Sequence, residues 1–161
     1  MSRITRTIWI GDKNDAKDST FMIENNITAI LNVTPDVPNY FSHINYLRIP
    51  INDPGPIKKT DDVAKFYKYI PNIIDFIDYN ENIFIHCRSG VQRAPSSLAA
   101  YFISKGMCVE ETMRFIQKKR KKAFYFGTHS NFHLALKKFR TKLFNSCQIM
   151  DNQCARCNNC I

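Results

Sequence analysis

Short apolar runs alternate along this chain with longer stretches whose apolar residues recur every three or four positions. Short, largely apolar runs bounded by polar or Gly-containing turns predict strands, and a run that is apolar throughout predicts a strand buried on both faces. The predicted strands cover residues 8–11, 29–33, 44–49 and 83–85. Because helical patterns lie between these runs, the sequence favours an α/β layer fold around a central sheet.

The amphipathic stretches predict five helices with recognisable ends. Asp18-Ser19-Thr20 offers capping groups for a short helix, and Thr60-Asp61-Asp62 caps a longer one that Pro71 should kink. The apolar face of the longer helix consists of Val63, Phe66, Tyr67, Ile70, Ile74 and Ile77. A third helix has Pro95 in its first turn and stops at Gly106. Helices over about 109–121 and 129–144 complete the domain.

Composition places the chain among ordinary globular domains and excludes several other classes. Its 161 residues, 44% of them hydrophobic and 23% charged, can bury a core without disulfide staples. No apolar run approaches the roughly 18 residues that a membrane helix needs, and the first residues lack the apolar region of a signal peptide. We therefore expect no membrane span and an intracellular location, in the cytoplasm, the nucleus or both.

The net charge of +9 lies almost wholly in the last third of the chain. Residues 1–111 hold 12 Lys and Arg against 13 Asp and Glu, whereas residues 112–161 hold 11 against one. Such asymmetry predicts an anionic partner: a phosphorylated or acidic protein, a nucleic acid or a lipid headgroup. Within this region residues 118–122 form an uninterrupted basic run. It is either the solvated end of a helix, a nuclear targeting signal or a docking site for an acidic partner.

The chemistry of the chain is concentrated in one loop, His86-Cys87-Arg88-Ser89-Gly90-Val91-Gln92-Arg93, between a buried strand and a helix. No Pro interrupts residues 88–93, so their backbone N–H groups can face one concavity, and Gly90 permits an unusual backbone conformation. Such a nest at a helix N-terminus binds a phosphate-sized anion and stabilises a thiolate. The planar guanidinium of Arg93 can hold two phosphate oxygens. An isolated Cys here would more often be an inert buried thiol, but the whole pattern predicts a phosphoryl-transfer site.

These residues are the signature of the cysteine-based protein tyrosine phosphatases, and further segments resemble the dual-specificity phosphatases. The similar segments are 8–11, 27–34, 46–53 and the loop itself, in order and at similar spacings, and they resemble the MAP kinase phosphatases. In compact size and composition the chain is also similar to viral members, such as those of baculoviruses. The resemblance implies a three-layer α/β/α fold with a mostly parallel sheet of about five strands. It implies a catalytic domain over residues 1–145, which leaves 146–161 as a Cys-rich tail.

The resemblance also implies roles for individual residues. Cys87 would be the nucleophile, Arg93 would hold the phosphate, and Asp53, 34 residues upstream, would be the general acid and then the base. His86 and Asn131 would support the loop, although Asn131 could equally be a helix cap and Asp53 a turn residue before Pro54. Residues 88–93 would bind the phosphate of phosphorylated protein substrates. No cofactor is expected, because backbone amides and Arg93 supply the electrostatics.

One position departs from the family pattern: Ala94 follows the signature Arg where the family has a Ser or Thr that helps the thiolate leave. Ser96 and Ser97 lie nearby. This departure keeps open a weakly active phosphatase that binds phosphoproteins. The basic C-terminal third and Arg88 keep open an RNA 5′-triphosphatase or a phosphoinositide phosphatase on the same loop.

Four of the six cysteines lie in the last fifteen residues. Cys147, Cys154, Cys157 and Cys160 could in principle complete a tetrahedral zinc site. The usual two-pair spacing is missing, and we therefore expect a frayed tail rather than a metal site.

Overall fold

The apolar runs of the sequence form the central sheet of the protein. In the computed structural model, residues 1–53, 60–125 and 132–150 are described, with side chains for 1–53, 61–125 and 132–145. Within these residues the sheet has five strands in the order β1-β2-β5-β3-β4. They are β1 (Ser2–Arg3), β2 (Ile8–Gly11), β3 (Ala29–Asn32), β4 (Asn45–Arg48) and β5 (Ile83–His86). Only β1 is antiparallel to its neighbour, so the predicted mostly parallel sheet is confirmed.

In the described chain, two α-helices lie between strands of the sheet and three follow its last strand. They are α1 (Ser19–Glu24), α2 (Thr60–Asp78), α3 (Arg93–Ser104), α4 (Val109–Lys119) and α5 (His133–Met150). The Asp18 side chain caps α1 by accepting a hydrogen bond from the Phe21 N–H at 3.0 Å. Helix α2 continues through Pro71.

The two faces of the sheet are covered separately, because side chains alternate between faces along each strand. Ile8, Ile10, Ile83 and Ile85 face the larger core, which contains residues of α2, α3, α4 and α5. Trp9, Ile30 and Phe84 face the smaller core, which α1 covers through Met22. The predicted α/β/α layering is confirmed, with four helices of the described chain on one side and α1 on the other.

Several details differ from the sequence prediction. Strand β1 was not predicted, because two residues are too few to show a pattern. In α2, Ile73 is fully buried and Ile74 only partly, since the helix turns its Ile73 side toward the core. Helix α4 ends at Lys119 rather than near 121, and α5 begins at His133 in the described chain. None of the described helices combines the length and the apolar character needed to cross a bilayer.

Candidate active site

The loop with the predicted chemistry lies at the carboxyl end of the central strand. Strand β5 pairs in parallel with β2 on one side and β3 on the other, and all its residues are buried. The chain leaves β5 at His86, turns through residues 87–92 and enters α3 at Arg93. In open α/β sheets, ligands bind outside the carboxyl ends of the strands, and anions bind at helix N-termini.

Cys87 sits at the base of this loop, with 2% of its surface exposed. Its sulfur accepts a hydrogen bond from the backbone N–H of Gly90 at 3.2 Å. Gly90 has a φ of 65°, in the left-handed region that favours glycine, and this turn brings its N–H back over the sulfur. A backbone donor at the start of a helix favours the thiolate form, which is the nucleophilic one.

The carbonyl groups of the loop are held on its outer side by neighbouring segments. The Lys13 N–H donates to the Arg88 carbonyl at 3.3 Å, the Arg120 Nε to the Gly90 carbonyl at 2.8 Å, and the Phe124 N–H to the Val91 carbonyl at 2.8 Å. In a trans peptide the C=O and the following N–H point in opposite directions. Holding these carbonyls outward therefore directs the N–H groups of Ser89, Val91 and Gln92 to the opposite side. This is the arrangement that binds an anion.

Arg93 is buried beside this loop and contacts a second part of the chain. Its Nη1 donates to the Ile51 carbonyl at 3.0 Å, and its Nε has no partner among the described residues. Asp53 lies two residues beyond Ile51 and is exposed. The structure thus brings Cys87 and Arg93 together with the segment that leads to Asp53.

The two serines near Ala94 are distinguished by their contacts. Ala94 is fully buried. The Ser97 hydroxyl donates to the Arg93 carbonyl at 2.9 Å, so it is engaged within α3. Ser96 is also buried, and its N–H donates to the Gln92 carbonyl at 2.8 Å in the first turn of the helix.

His86 is a buried neutral imidazole behind the loop. Burial lowers the pKa of His86 to about 4, and the nearby guanidinium groups of Arg48 and Arg93 act in the same direction. A hydrogen bond with the backbone of Cys87 opposes this shift. The ring stacks on Phe84, with centroids 5.8 Å apart. His86 is therefore uncharged near neutral pH, and its contact with the Cys87 backbone fits a supporting role.

The rim of the loop carries an ion pair that the sequence did not indicate. The exposed Arg88 side chain pairs with Asp36, and the hydrogen bond from Arg88 lowers the pKa of Asp36. The loop that carries Asp36 is fixed, because Asn32 Nδ2 donates to the Val37 carbonyl at 2.8 Å and the Val37 N–H donates to Thr34 Oγ1 at 3.1 Å. Arg88 is thus held at the rim by its side chain.

The remaining predicted residues have different surroundings. Ser89 is exposed, Val91 is half-buried, and Gln92 is buried with neither side-chain amide atom partnered among the described residues. Asn131, Cys154, Cys157, Cys160 and the side chain of Cys147 lie outside the described residues. In the described part of the chain, no three His, Cys, Asp or Glu side chains are grouped as metal ligands would be.

Sequence reasoning missed the segment 120–124, which lies against the loop. The interpretation of residues 118–122 as a solvated helix end is wrong for Arg120, which is 4% exposed, and holds for its lysine neighbours, which are exposed. The available signal was an Arg among lysines just before the apolar pair Ala123-Phe124. Arg tolerates burial better than Lys when its fork can satisfy several acceptors.

Comparison with known proteins gives one consistent result. The family model described as "Dual specificity phosphatase, catalytic domain" matches residues 8–142. Human dual specificity protein phosphatase 21 is 28% identical over 148 residues, covering 90% of this chain and 74% of that protein. The vaccinia virus dual specificity protein phosphatase OPG106 is 31% identical over 109 residues, covering 65% of this chain and 60% of that protein. Mouse dual specificity protein phosphatase 8 and Drosophila dual specificity protein phosphatase Mpk3 are longer, and the chain spans only 18% and 28% of them.

A solved structure supports the same fold. The crystal structure of human DUSP28 aligns with a TM-score of 0.73 at 17% identity, covering 91% of this chain and 99% of that chain. At this identity the likeness concerns the arrangement of strands and helices.

Proposed function

The chain belongs to the family of dual specificity phosphatase catalytic domains, and from this premise we propose that it hydrolyses phosphotyrosine, and also phosphoserine and phosphothreonine, in proteins. The observation that carries the proposal is the buried Cys87 sulfur, which accepts a hydrogen bond from Gly90 at the N-terminus of α3. The outward-held carbonyls and the adjacent Arg93 support it, because together they leave an anion site beside a nucleophile.

The reaction proceeds in two displacements. In the first, the Cys87 thiolate attacks phosphorus, the bond from phosphorus to the substrate oxygen breaks, and Asp53 gives its proton to that oxygen. In the second, Asp53 takes a proton from water, the water oxygen bonds to phosphorus, and the phosphorus–sulfur bond breaks to return the thiolate. Arg93 and the loop N–H groups stabilise the equatorial oxygens in both steps.

The family match favours this protein phosphatase activity over the RNA 5′-triphosphatase and phosphoinositide alternatives. In our proposal residues 1–145 form the catalytic domain and 146–161 the tail. The enzyme acts in the cytoplasm or nucleus, and the basic C-terminal third contacts an acidic partner or a nucleic acid. Comparing kcat/KM for one phosphopeptide with and without flanking acidic residues tests whether this basic region contacts an acidic partner.

The test of the proposed function is Cys87→Ser. This variant should abolish turnover of a phosphotyrosine peptide and still bind inorganic phosphate, because the loop amides and Arg93 remain. Phosphate binding serves as the control for folding. Retained turnover in Cys87→Ser would overturn the assignment of the nucleophile, and activity on 5′-triphosphate RNA that exceeds activity on phosphopeptides would overturn the substrate class.

A further inference from the structure

Arg120 is the one buried residue of the basic run, and it joins three parts of the fold. It follows α4, and its guanidinium reaches beneath the loop between β5 and α3. Its Nε donates to the Gly90 carbonyl at 2.8 Å, and its Nη1 donates to the Ile10 carbonyl at 3.2 Å and to Ser2 Oγ at 3.1 Å. The exposed lysines on either side make none of these contacts with the loop.

The guanidinium also lies against the α-carbon of Gly90. A β-carbon at this position would come within 2.2 Å of Arg120 Nη2 and 2.6 Å of the Gly11 carbonyl oxygen. Glycine is thus required here both by its positive φ and by the close approach of Arg120. The 90–91 peptide cannot rotate without losing this contact.

Two bonds at Gly90 connect the guanidinium to the nucleophile. The Gly90 carbonyl accepts from Arg120, while the Gly90 N–H donates to the Cys87 sulfur. Because the Val91 N–H points opposite to the Gly90 carbonyl, the same bond from Arg120 directs that N–H toward the anion side. The Phe124 N–H holds the next carbonyl in the same way.

Charge adds to this geometry. A buried cation interacts more strongly with nearby charge than one in water does. Burial lowers the pKa of Arg120, and the nearby acidic groups of Asp15, Asp12 and Cys87 oppose this lowering without cancelling it. The guanidinium charge therefore lies within electrostatic reach of the Cys87 sulfur.

We propose that Arg120 is a positioning residue for the phosphatase reaction. It sets the orientation of the Gly90–Val91 peptide, and through that orientation it sets both the phosphate affinity and the reactivity of the Cys87 thiolate. The inference rests on the proposed function, because it takes Cys87 as the nucleophile. Its test reads Cys87 alkylation and phosphate binding directly, so it remains informative whatever Cys87→Ser shows about turnover.

The experiment compares Arg120→Gln and Arg120→Lys with Lys121→Gln, a matched control that removes an exposed positive charge next in sequence. The protein is alkylated with iodoacetamide at pH 6 and at pH 10, and mass spectrometry of the peptide that contains Cys87 gives the two rates. The alkylation ratio is the rate at pH 6 divided by the rate at pH 10. Binding of inorganic phosphate is measured by calorimetry, and thermal unfolding reports folding.

Arg120→Gln should lower the alkylation ratio and weaken phosphate binding, each by about tenfold, the scale of one hydrogen bond to a charged group. Arg120→Lys keeps the charge but not the fork, so it should restore most of the alkylation ratio and leave phosphate binding weak. Lys121→Gln should match wild type in both measurements.

A folded Arg120→Gln protein with both values within twofold of wild type would overturn the proposal, even if its unfolding temperature fell. Equal losses in Lys121→Gln would also overturn it, since they would show an effect of net charge alone. If Arg120→Gln does not fold, Arg120→Lys decides: phosphate binding equal to wild type refutes the positioning role.

Discussion

The buried imidazole of His86 makes the stability of this protein depend on pH in a defined window. Burial lowers the pKa of His86 to about 4 in the folded protein, against 6.5 in the unfolded chain. Between these values the unfolded state binds a proton that the folded state does not. The free energy of unfolding therefore falls as the pH drops from 6.5 toward 4, and this contribution is fully present only above pH 6.5.

The size of the effect follows from these two pKa values. Each pKa unit corresponds to about 1.4 kcal/mol. Protonation of His86 therefore stabilises the unfolded state relative to the folded state by about 2 kcal/mol at pH 5 and about 3 kcal/mol below pH 4. Domains of this kind are stable by about 5–15 kcal/mol, so a loss of this size is readily measured.

Urea unfolding of wild type and His86→Gln at pH 7.5, 6.5, 5.5 and 5.0 isolates the effect. His86→Gln should be less stable at pH 7.5 but should lose about 2 kcal/mol less than wild type between pH 7.5 and 5.0. His43→Gln is the matched control, because His43 is exposed, and it should keep the wild-type slope. Parallel pH profiles for wild type and His86→Gln would refute the reasoning.

Three further changes test the site. Gly90→Ala places a β-carbon in a left-handed backbone conformation, against Arg120 and the Gly11 carbonyl, and should lower the free energy of unfolding by about 2–4 kcal/mol. Urea unfolding measures this loss, with Ser89→Ala at an exposed position as the control. A loss below about 1 kcal/mol would contradict the geometry. Asp53→Asn should slow a phosphotyrosine peptide by about 10²–10⁴-fold and an activated aryl phosphate far less, in parallel steady-state assays, whereas equal losses would point to a structural role. Without a hydroxyl at position 94 the thiolate should leave slowly in the second step, so the cysteinyl-phosphate of wild type should accumulate and give a pre-steady-state burst. Ala94→Ser should add a donor to the Cys87 sulfur, abolish this burst and raise kcat by about 10–100-fold in rapid-quench measurements. The Ser97 hydroxyl donates to the Arg93 carbonyl, so we do not expect it to replace the missing donor. An unchanged kcat without a burst would mean that Ala94 is a neutral replacement.

The loop was predictable from the sequence because its chemistry and its local context coincide within eight residues. A buried strand, a glycine, and a Cys and Arg at fixed spacing predict the turn that the structure shows, and the anion that we propose it binds. The outer contacts were not predictable in this way. Arg120 lies 30 residues from Gly90, and Asp36 lies 52 residues from Arg88. Such pairs depend on how α4 and the loop after β3 pack, which local periodicity does not encode.

The main differences between the predicted and the observed fold also arise from tertiary packing. Ile73 and Ile74 both fit a helical apolar face, and the tertiary packing of α2 decides which of them is buried. Strand β1 is two residues long and depends on pairing with β2, so its own sequence carries no period to detect.

The hydrogen bond from Arg93 to the Ile51 carbonyl makes two properties of this enzyme interdependent. The guanidinium that we propose holds the anion also contacts the segment leading to Asp53. If a bound oxyanion favours one position of that segment by a given factor, thermodynamic reciprocity requires that this position strengthen oxyanion binding by the same factor. A compound that holds the segment displaced would therefore inhibit without entering the anion site. Substitutions at residues 49–51, before the segment reaches Asp53, would then change product inhibition by phosphate through the contact with Arg93.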